Sequence, residues 1–485
     1  MRFSTFILFI EAMLLCLFLT PLVRAAGIRF GIIDQPDDYR KLHKKPVARC
    51  GGISVFLSFL IPVSLFIFLV QKDSILKPRD YHRVWIIVIG GASSMLMGLA
   101  DDIWDLRARW KLVFQFLIAT IAYSGDLRID SLSNPFGGTL FLGMFAFPIT
   151  VFWFMLCMNA INLFDGLDGL AAGISLFVSV TLLAVSMILQ NDIGVFISLC
   201  LSGAILGFLV FNFNPASIFL GDSGSMFLGF SIAALSVVSS SKTEAATALF
   251  IPAIALLLPF FDLAGAALRR WSKYLPMTMP DGKHLHHRIM SYGFSARRTV
   301  VILYGVCILL CSGAIVLLIS SRNSTTSFVL IGIALMFILG NQMFKVFDLT
   351  EVRDRISHDH RLHGWSKEMA IKTATATSRA NAEKDFNTSW DHLTKLFSDF
   401  EVDQASVINL KSETSIVKAW TNNKGNASIK NAPKKNPAWT LKFPIHTENK
   451  NLEYILELKG SSSTLKLKAS LSMMETLKSA LDGLV

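Results

Sequence analysis

The chain has 485 residues, of which 52% are hydrophobic and only 17% charged, with a mean hydropathy of +0.51; a soluble domain usually carries about 25% charge. That balance excludes a disordered or ordinary soluble protein and indicates a polytopic membrane protein. The formal net charge of +11 is concentrated in particular loops, so it reads as membrane topology and not as a nucleic-acid-binding surface.

Apolar runs of roughly 17–25 residues are long enough to cross a bilayer as helices, and about eleven are expected here. They run approximately Phe3–Val23, Ile53–Val70, Val84–Ala100, Leu112–Tyr123, Leu140–Asn159, Leu170–Leu189, Ile193–Phe211, Ser225–Ser239, Ala246–Leu268, Val300–Ile319 and Phe328–Val346. The fourth is short. The first also reads as a signal peptide, because small residues follow it in "VRAAG", but its length and the polytopic remainder favour a retained span. Cys16, Cys157, Cys200, Cys307 and Cys311 lie inside these runs. No cysteine pair has zinc-ligand spacing with histidine, which argues against a disulfide framework or a zinc knot.

Orientation follows from Lys and Arg. The loop after the first run carries Arg24, Arg29, Arg40, Lys41, Lys44, Lys45 and Arg49, and the loop after the ninth carries Arg269, Arg270, Lys273, Lys283, Arg288, Arg297 and Arg298. The positive-inside rule makes these loops cytoplasmic, with the N-terminus outside and the C-terminal tail inside.

Composition changes near Asp348. The expected organisation is therefore a membrane domain over residues 1–347 and a small soluble α/β domain over residues 348–485. "SHDHRLH" at Ser357–His363 reads as a solvated linker before it reads as a metal site. Four runs have strand character, namely "ASVINLK", "SIVKAWT", "TLKFPIH" and "LEYILELK". Helical spacing of Trp390, Leu393, Phe397 and Phe400 precedes them, and that of Leu471, Met474, Leu477 and Leu481 follows. The tail shows no catalytic constellation, so regulation or partner binding is its expected role.

The unusual polar clusters all fall in loops of the cytoplasmic set: "DQPDDYRKLHKKP", "ADDIWDLRARWK", "NAINLFDGLDG", "NFNPASIFLGDSGS" and "PDGKHLHHRIMSYG". Carboxylates gathered at a membrane edge need a neutralising cation. Asp101, Asp102, Asp105, Asp165, Asp168 and Asp222 offer oxygen only, which suits Mg²⁺ held by one or two carboxylates, water and substrate phosphate. Basic Arg40, Lys41, Lys111 and Arg288 lie in the same loops. Carboxylates, metal and Lys/Arg together are the equipment of phosphoryl transfer. Individually, each residue keeps a plainer reading. Asp168 and Asp222 also read as helix N-caps, Asp101–Asp102 as a solvated pair, Asn162 as a helix C-cap, the histidines as surface residues, and Phe219 as a packing aromatic. Five clusters on one side make independent plain explanations hard to sustain together.

The stretches "GIIDQPDDYRKLHKKPVARCGG", "GLADDIWDLRARWK", "NAINLFDGLDGLAAG", "FNFNPASIFLGDSGSMFLG" and "DGKHLHHRI" resemble, in order and spacing, the polyprenyl-phosphate N-acetylhexosamine-1-phosphate transferases. The resemblance covers roughly Met1–Val346. It implies transfer of a sugar-1-phosphate from a UDP-sugar to undecaprenyl phosphate, with release of UMP, on the cytoplasmic face of a bacterial inner membrane. "HLHHR" resembles the amino-sugar branch more than the "HHH" of the peptidoglycan branch, which implies UDP-GlcNAc as donor. Phospho-MurNAc-pentapeptide transfer, or another UDP-amino sugar, is the alternative. By the same resemblance Asp222 and Asn162 hold Mg²⁺ (or Mn²⁺), and Asp101, Asp102, Asp165 and Asp168 are catalytic. Arg40, Lys41, His43, Lys111, Asn159, Asn212, Phe219, His284, His286, His287 and Arg288 bind substrate, Phe219 against uracil. A homodimer is compatible with this reading, as is a ligand or partner for the tail. A secondary transporter fits less well, since its ionisable groups lie near the midplane. A CDP-alcohol phosphotransferase fits less well because "DGLDGLAAGISLF" lacks that family's Arg and later Asp residues.

The orientation generates a labelling prediction. In a cysteine-free background, a cysteine replacing Arg107 should resist a membrane-impermeant thiol reagent applied to intact cells and react once the membrane is opened. Labelling from outside would reverse the assigned topology.

Overall fold

The computed structural model describes residues 2–35, 46–70, 78–133, 139–240, 250–276, 284–320, 323–348, 350–357 and 359, together with four strands between 402 and 460. It divides into two compact units, Met1–Asp348 and Leu349–Val485.

The first unit is helical. In chain order it contains α1 (Arg2–Arg29), β1 (Ile33–Asp34), β2 (Val47–Ala48), α2 (Gly51–Val70), α3 (Pro78–Trp104), α4 (Ala108–Ser124), β3 (Ser131–Ser133), β4 (Thr139–Phe141) and α5 (Ala146–Phe164). There follow α6 (Leu170–Ile188), α7 (Asp192–Asn212), α8 (Gly221–Ser240), α9 (Phe250–Ala255), α10 (Leu257–Ser272), α11 (Leu285–Ser291), α12 (Ala296–Ile319) and α13 (Asn323–Phe344).

Nine helices among the described residues are long and apolar enough to cross a membrane, against the eleven runs read from sequence. The two others have local causes. The fourth run forms α4, a helix of 17 residues, which is marginal for a 30 Å hydrocarbon layer at 1.5 Å per residue. The ninth run is divided into α9 and α10 at Leu256. Pro259 has no N–H to continue the ladder across that point, and its ring crowds the carbonyl one turn before it.

α8 is the axis of the bundle. It packs against α2, α3, α5, α6 and α7 and is almost wholly buried, whereas α13 turns most of its apolar side chains outward. Close packing at the axis depends on glycine. A Cβ at Gly52 of α2 would lie 2.1 Å from the amide nitrogen of Gly224, and one at Gly98 of α3 would lie 2.1 Å from the carbonyl oxygen of Asp222. Backbones that touch in this way bring helix ends together, and with them the polar residues that those ends carry.

In the second unit, β5 (Val402–Asn409), β6 (Ile416–Thr421), β7 (Trp439–His446) and β8 (Leu452–Gly460) form an antiparallel sheet of order β6-β5-β8-β7. The two helices expected around this sheet lie outside the described residues.

The glycine contacts give a stability test. Gly98→Ala should lower the unfolding midpoint in detergent by an amount equivalent to about 1–3 kcal/mol, the usual cost of overpacking. Gly332→Ala in α13, where an added Cβ meets nothing within 4 Å, should leave the midpoint unchanged or slightly raised, since alanine favours a helix more than glycine does. Equal midpoints for the two variants would show that the α3–α8 contact tolerates expansion.

Candidate active site

The site is assembled at the N-terminus of α8. The segment Ala48–Gly52 runs beside Ile218–Leu220. The Phe219 N–H donates to Ala48 O at 2.8 Å, the Gly51 N–H to Phe219 O at 3.0 Å, and the Gly52 N–H to Leu220 O at 2.9 Å. This pairing holds Arg49 over the first turn of α8. Its Nε lies 3.0 Å from Asp102 Oδ1 and its Nη2 2.9 Å from Asp222 Oδ1. Asp102, at the end of α3, also accepts the backbone N–H groups of Asp222 at 2.9 Å and Ser223 at 3.0 Å. A carboxylate from one helix therefore caps another, where unpaired N–H groups and the helix dipole favour negative charge. Gly221 makes the approach possible. Its φ is +74°, and a Cβ there would fall 2.7 Å from Asp102 Oδ2.

Asp222 is contacted by side chains from three other segments. Oδ1 accepts from Arg49 and, at 3.0 Å, from Asn162 Nδ2; Oδ2 lies 3.3 Å from Lys111 Nζ. Lys111, at the start of α4, also pairs with Asp101, whose other oxygen accepts the Leu106 N–H at 2.8 Å. Asn162 further donates to Ser225 Oγ at 2.9 Å. Asn159, one turn earlier on α5, exchanges amide hydrogen bonds with buried Gln115 of α4. Asp105 stays outside the cluster, exposed, with φ +48°.

The turn after α5 contains the other two aspartates. Asp168 Oδ2 accepts from Asn214 Nδ2 at 2.9 Å and from the Ala216 N–H at 3.0 Å, so it braces the loop before α8. Asn212 braces the same loop by donating to Ile218 O at 3.0 Å. Phe219, half-buried, is at its end. Tyr304 of α12 steadies the turn from outside by donating its O–H to Gly169 O at 2.6 Å. Asp165, the C-cap of α5, differs from its neighbours. Among the described residues no donor reaches its carboxylate, and burial, reinforced by the charge of Asp222, pushes its pKa up to about 8.

The histidine segment forms α11 and its N-cap. His284 and His286 are buried and their rings lie nearly parallel, with centroids 5.9 Å apart; exposed His287 lies 4.2 Å from His286. Burial and then the neighbouring His287 hold His286 down at about 3, so its ring is neutral. His286 Nε2 abuts the Asp165–Asp168 turn, since a Cβ on Gly166 would lie 2.7 Å from it. Arg288 is directed to the end of α13, where it donates to Phe344 O at 2.9 Å and to Lys345 O at 2.6 Å. Arg40, Lys41 and His43 lie outside the described residues.

The structure thus brings Asp101, Asp102, Lys111, Asn162 and Asp222 into one cluster, with Asp165 and Asp168 in the turn beside it. It adds residues that have no site role when read from sequence. Arg49 counted only as a topological charge, and Gln115 and Tyr304 resembled ordinary helix residues. Asp262 alone carried a usable signal, as a carboxylate inside an apolar run.

A helical membrane bundle with acids, amides and bases gathered at one end is the architecture of a group-transfer enzyme acting at a membrane surface. The family model described as "Glycosyl transferase family 4" matches residues 84–240. The chain is 36% identical over 350 residues to a probable undecaprenyl-phosphate N-acetylglucosaminyl 1-phosphate transferase of Bacillus subtilis (strain 168), covering 70% of this chain and 94% of that protein. It is 32% identical to a decaprenyl-phosphate N-acetylglucosaminephosphotransferase of Mycolicibacterium smegmatis, over 61% of this chain and 77% of the relative. It is 30% identical to an undecaprenyl-phosphate alpha-N-acetylglucosaminyl 1-phosphate transferase of Salmonella typhi, over 58% of this chain and 75% of that one. The chain belongs to glycosyl transferase family 4.

The cap on α8 yields a prediction. Asp102→Asn places an N–H₂ group among N–H donors and removes the charge facing Arg49. It should destabilise the protein by about 1–3 kcal/mol, the cost of leaving a buried donor unpaired, seen as a lower unfolding midpoint as well as lost activity. An unchanged midpoint would mean that the cap contributes nothing to the fold.

Proposed function

We propose that the protein transfers N-acetylglucosamine-1-phosphate from UDP-GlcNAc to undecaprenyl phosphate at the cytoplasmic face of a bacterial plasma membrane, and so starts a lipid-linked surface glycan. An oxygen of the carrier phosphate attacks the β-phosphorus of the nucleotide sugar. The bond from that phosphorus to the bridging oxygen breaks, UMP leaves, and a lipid-linked diphosphosugar remains. The relatives' names and the resemblance of the motifs support donor and acceptor. The observation that carries the chemistry is the Asp222 cluster, where acids and bases meet at the polar end of an otherwise apolar bundle.

The residues fit a divalent cation. Asp165 is half-buried with no donor among the described residues, Asp222 lies between the cationic Arg49 and Lys111, and Asn162 can turn its amide oxygen inward. Among the described residues no group of three His, Cys, Asp or Glu side chains converges on a metal position. That pattern suits Mg²⁺, which retains water and takes phosphate oxygens as ligands. Asp222 and Asn162, with Asp165 nearby, would hold it. Bound there, it would neutralise charge developing on the diphosphate.

The protein's own groups have separable tasks in this reading. Arg49 and Lys111 supply fixed positive charge for phosphate oxygens as well as for Asp222. Asp101, paired with Lys111, orients or deprotonates the carrier phosphate. Asp102 and Asp168 act mainly by holding the α8 cap and the 213–220 loop in place, and Phe219 offers an aromatic face for the uracil. The histidine segment closes over the sugar and phosphates. The C-terminal unit regulates or binds a partner.

The test is a radiolabel-transfer assay with purified protein, undecaprenyl phosphate and a panel of UDP-sugars. UDP-GlcNAc should be the preferred donor, and EDTA should abolish a transfer that Mg²⁺ restores. Asp222→Asn should reduce kcat by on the order of 10²-fold or more. Preference for UDP-MurNAc-pentapeptide would move the protein to the peptidoglycan branch, and near wild-type transfer by Asp222→Asn would remove Asp222 from the metal site.

A further inference from the structure

The roles proposed above leave Asp262 unused. It lies in α10 with no solvent exposure. Both of its oxygens are committed to the histidine segment: Oδ1 accepts the Leu285 N–H at 3.0 Å, and Oδ2 is 3.2 Å from His284 Nδ1. A carboxylate only accepts, so the proton on this edge of the ring belongs to Nδ1. The second ring nitrogen, Nε2, is then free of that constraint and defined by it. The ordering continues beyond His284, whose ring lies at 14° to that of His286. His286 in turn abuts Gly166, next to the donorless carboxylate of Asp165.

We propose that Asp262 is a positioning residue for the transfer reaction: it fixes the ring orientation and tautomer of His284, and through it the seating of the histidine segment on the Asp165–Asp168 turn. This rests on the transferase reading of that site. A helix cap alone would need a single acceptor, which Asn or Ser supplies equally well. The use of the second oxygen on His284 Nδ1 is what separates positioning from capping.

Asp262→Asn distinguishes the two. The amide oxygen can still accept the Leu285 N–H, but its N–H₂ group faces His284 Nδ1. That nitrogen must then accept, and the ring proton moves to Nε2. The full-length variant should keep the wild-type unfolding midpoint and KM for UDP-GlcNAc, while kcat falls roughly 10- to 100-fold, the usual consequence of losing a carboxylate behind a functional histidine. Combined with His284→Gln it should cost little beyond His284→Gln alone, because both changes remove the same arrangement. Asp262→Glu should recover part of kcat. A second readout does not need turnover. In protein labelled with ¹⁵N-histidine, the resonance missing from His284→Gln should report Nδ1–H in the wild type and Nε2–H in Asp262→Asn. Wild-type kcat in Asp262→Asn, additive losses in the double variant, or an unchanged His284 tautomer would each overturn the proposal. A wild-type protein that fails to use UDP-GlcNAc, yet shows the tautomer change, would overturn the donor assignment and leave the Asp262–His284 linkage standing.

Discussion

The bridge from Arg49 to Asp102 and Asp222 is the contact on which the rest of the site depends. One guanidinium joins the end of α3 to the start of α8, and Asp102 simultaneously caps α8. A planar fork spans the two carboxylates with donors on separate nitrogens in fixed directions, whereas Lys111 bridges Asp101 and Asp222 through a single nitrogen. Without Arg49, two largely buried carboxylates would face each other across the α8 N-terminus with only Lys111 to compensate one of them. Such an arrangement would protonate or spread apart. The capping geometry and the charge balance of the site are thus the same contact viewed from two sides.

The bundle supports this contact by placing opposite helix ends together. α3 and α5 deliver residues from their C-terminal turns, while α4 and α8 deliver them from their first turns. Anions at the N-terminus of α8 gain from its dipole, and the cationic Lys111 and Arg49 offset the anionic excess. At the other end of α3 and α4, Asp126 gathers Arg79, Arg83 and Arg128. The first two tie the start of α3 to the residues after α4. Among the described residues no amide joins that cluster, and fastening the helix ends accounts for it.

What could be read from sequence was local. The triplet spacing of Asn159 and Asn162 does place both on the last turns of α5, but the helix ends at Phe164. Asp165 and Asp168 therefore continue the spacing in sequence without continuing the face, and Asp168 turns to Asn214 and Ala216 instead. The carboxylates and amides were legible because their types cluster against an apolar background. Arg49 and Gln115 were not, and Asp262 only as an acid inside an apolar run, because each acquires its role from a partner brought close by folding: Asp222, Asn159 and His284 respectively. The number of long apolar helices among the described residues differs from the number of apolar runs for a related reason. Hydropathy records length and apolarity, whereas the division between α9 and α10 is made by a missing proline donor.

Arg288 shows how the same logic links the histidine segment to the rest of the chain. A helix leaves its last carbonyls without intrahelical partners. At the end of α13, Tyr292 donates to Met343 O at 2.6 Å, Arg288 to Phe344 O and Lys345 O, and Arg269 to Val346 O at 2.8 Å. Two of these donors are cationic, as the negative end of a helix dipole favours. The stretch Leu285–Tyr292 is therefore held at its start by Asp262 and at its end by the close of α13. Neither support belongs to the acidic cluster; one comes from the preceding helix, α10, and the other from the close of α13, more than fifty residues later. In the proposed reaction this segment meets substrate and then releases product, which rigid attachment to the acids would oppose. Anchoring through α10 and α13 instead fixes its orientation from behind.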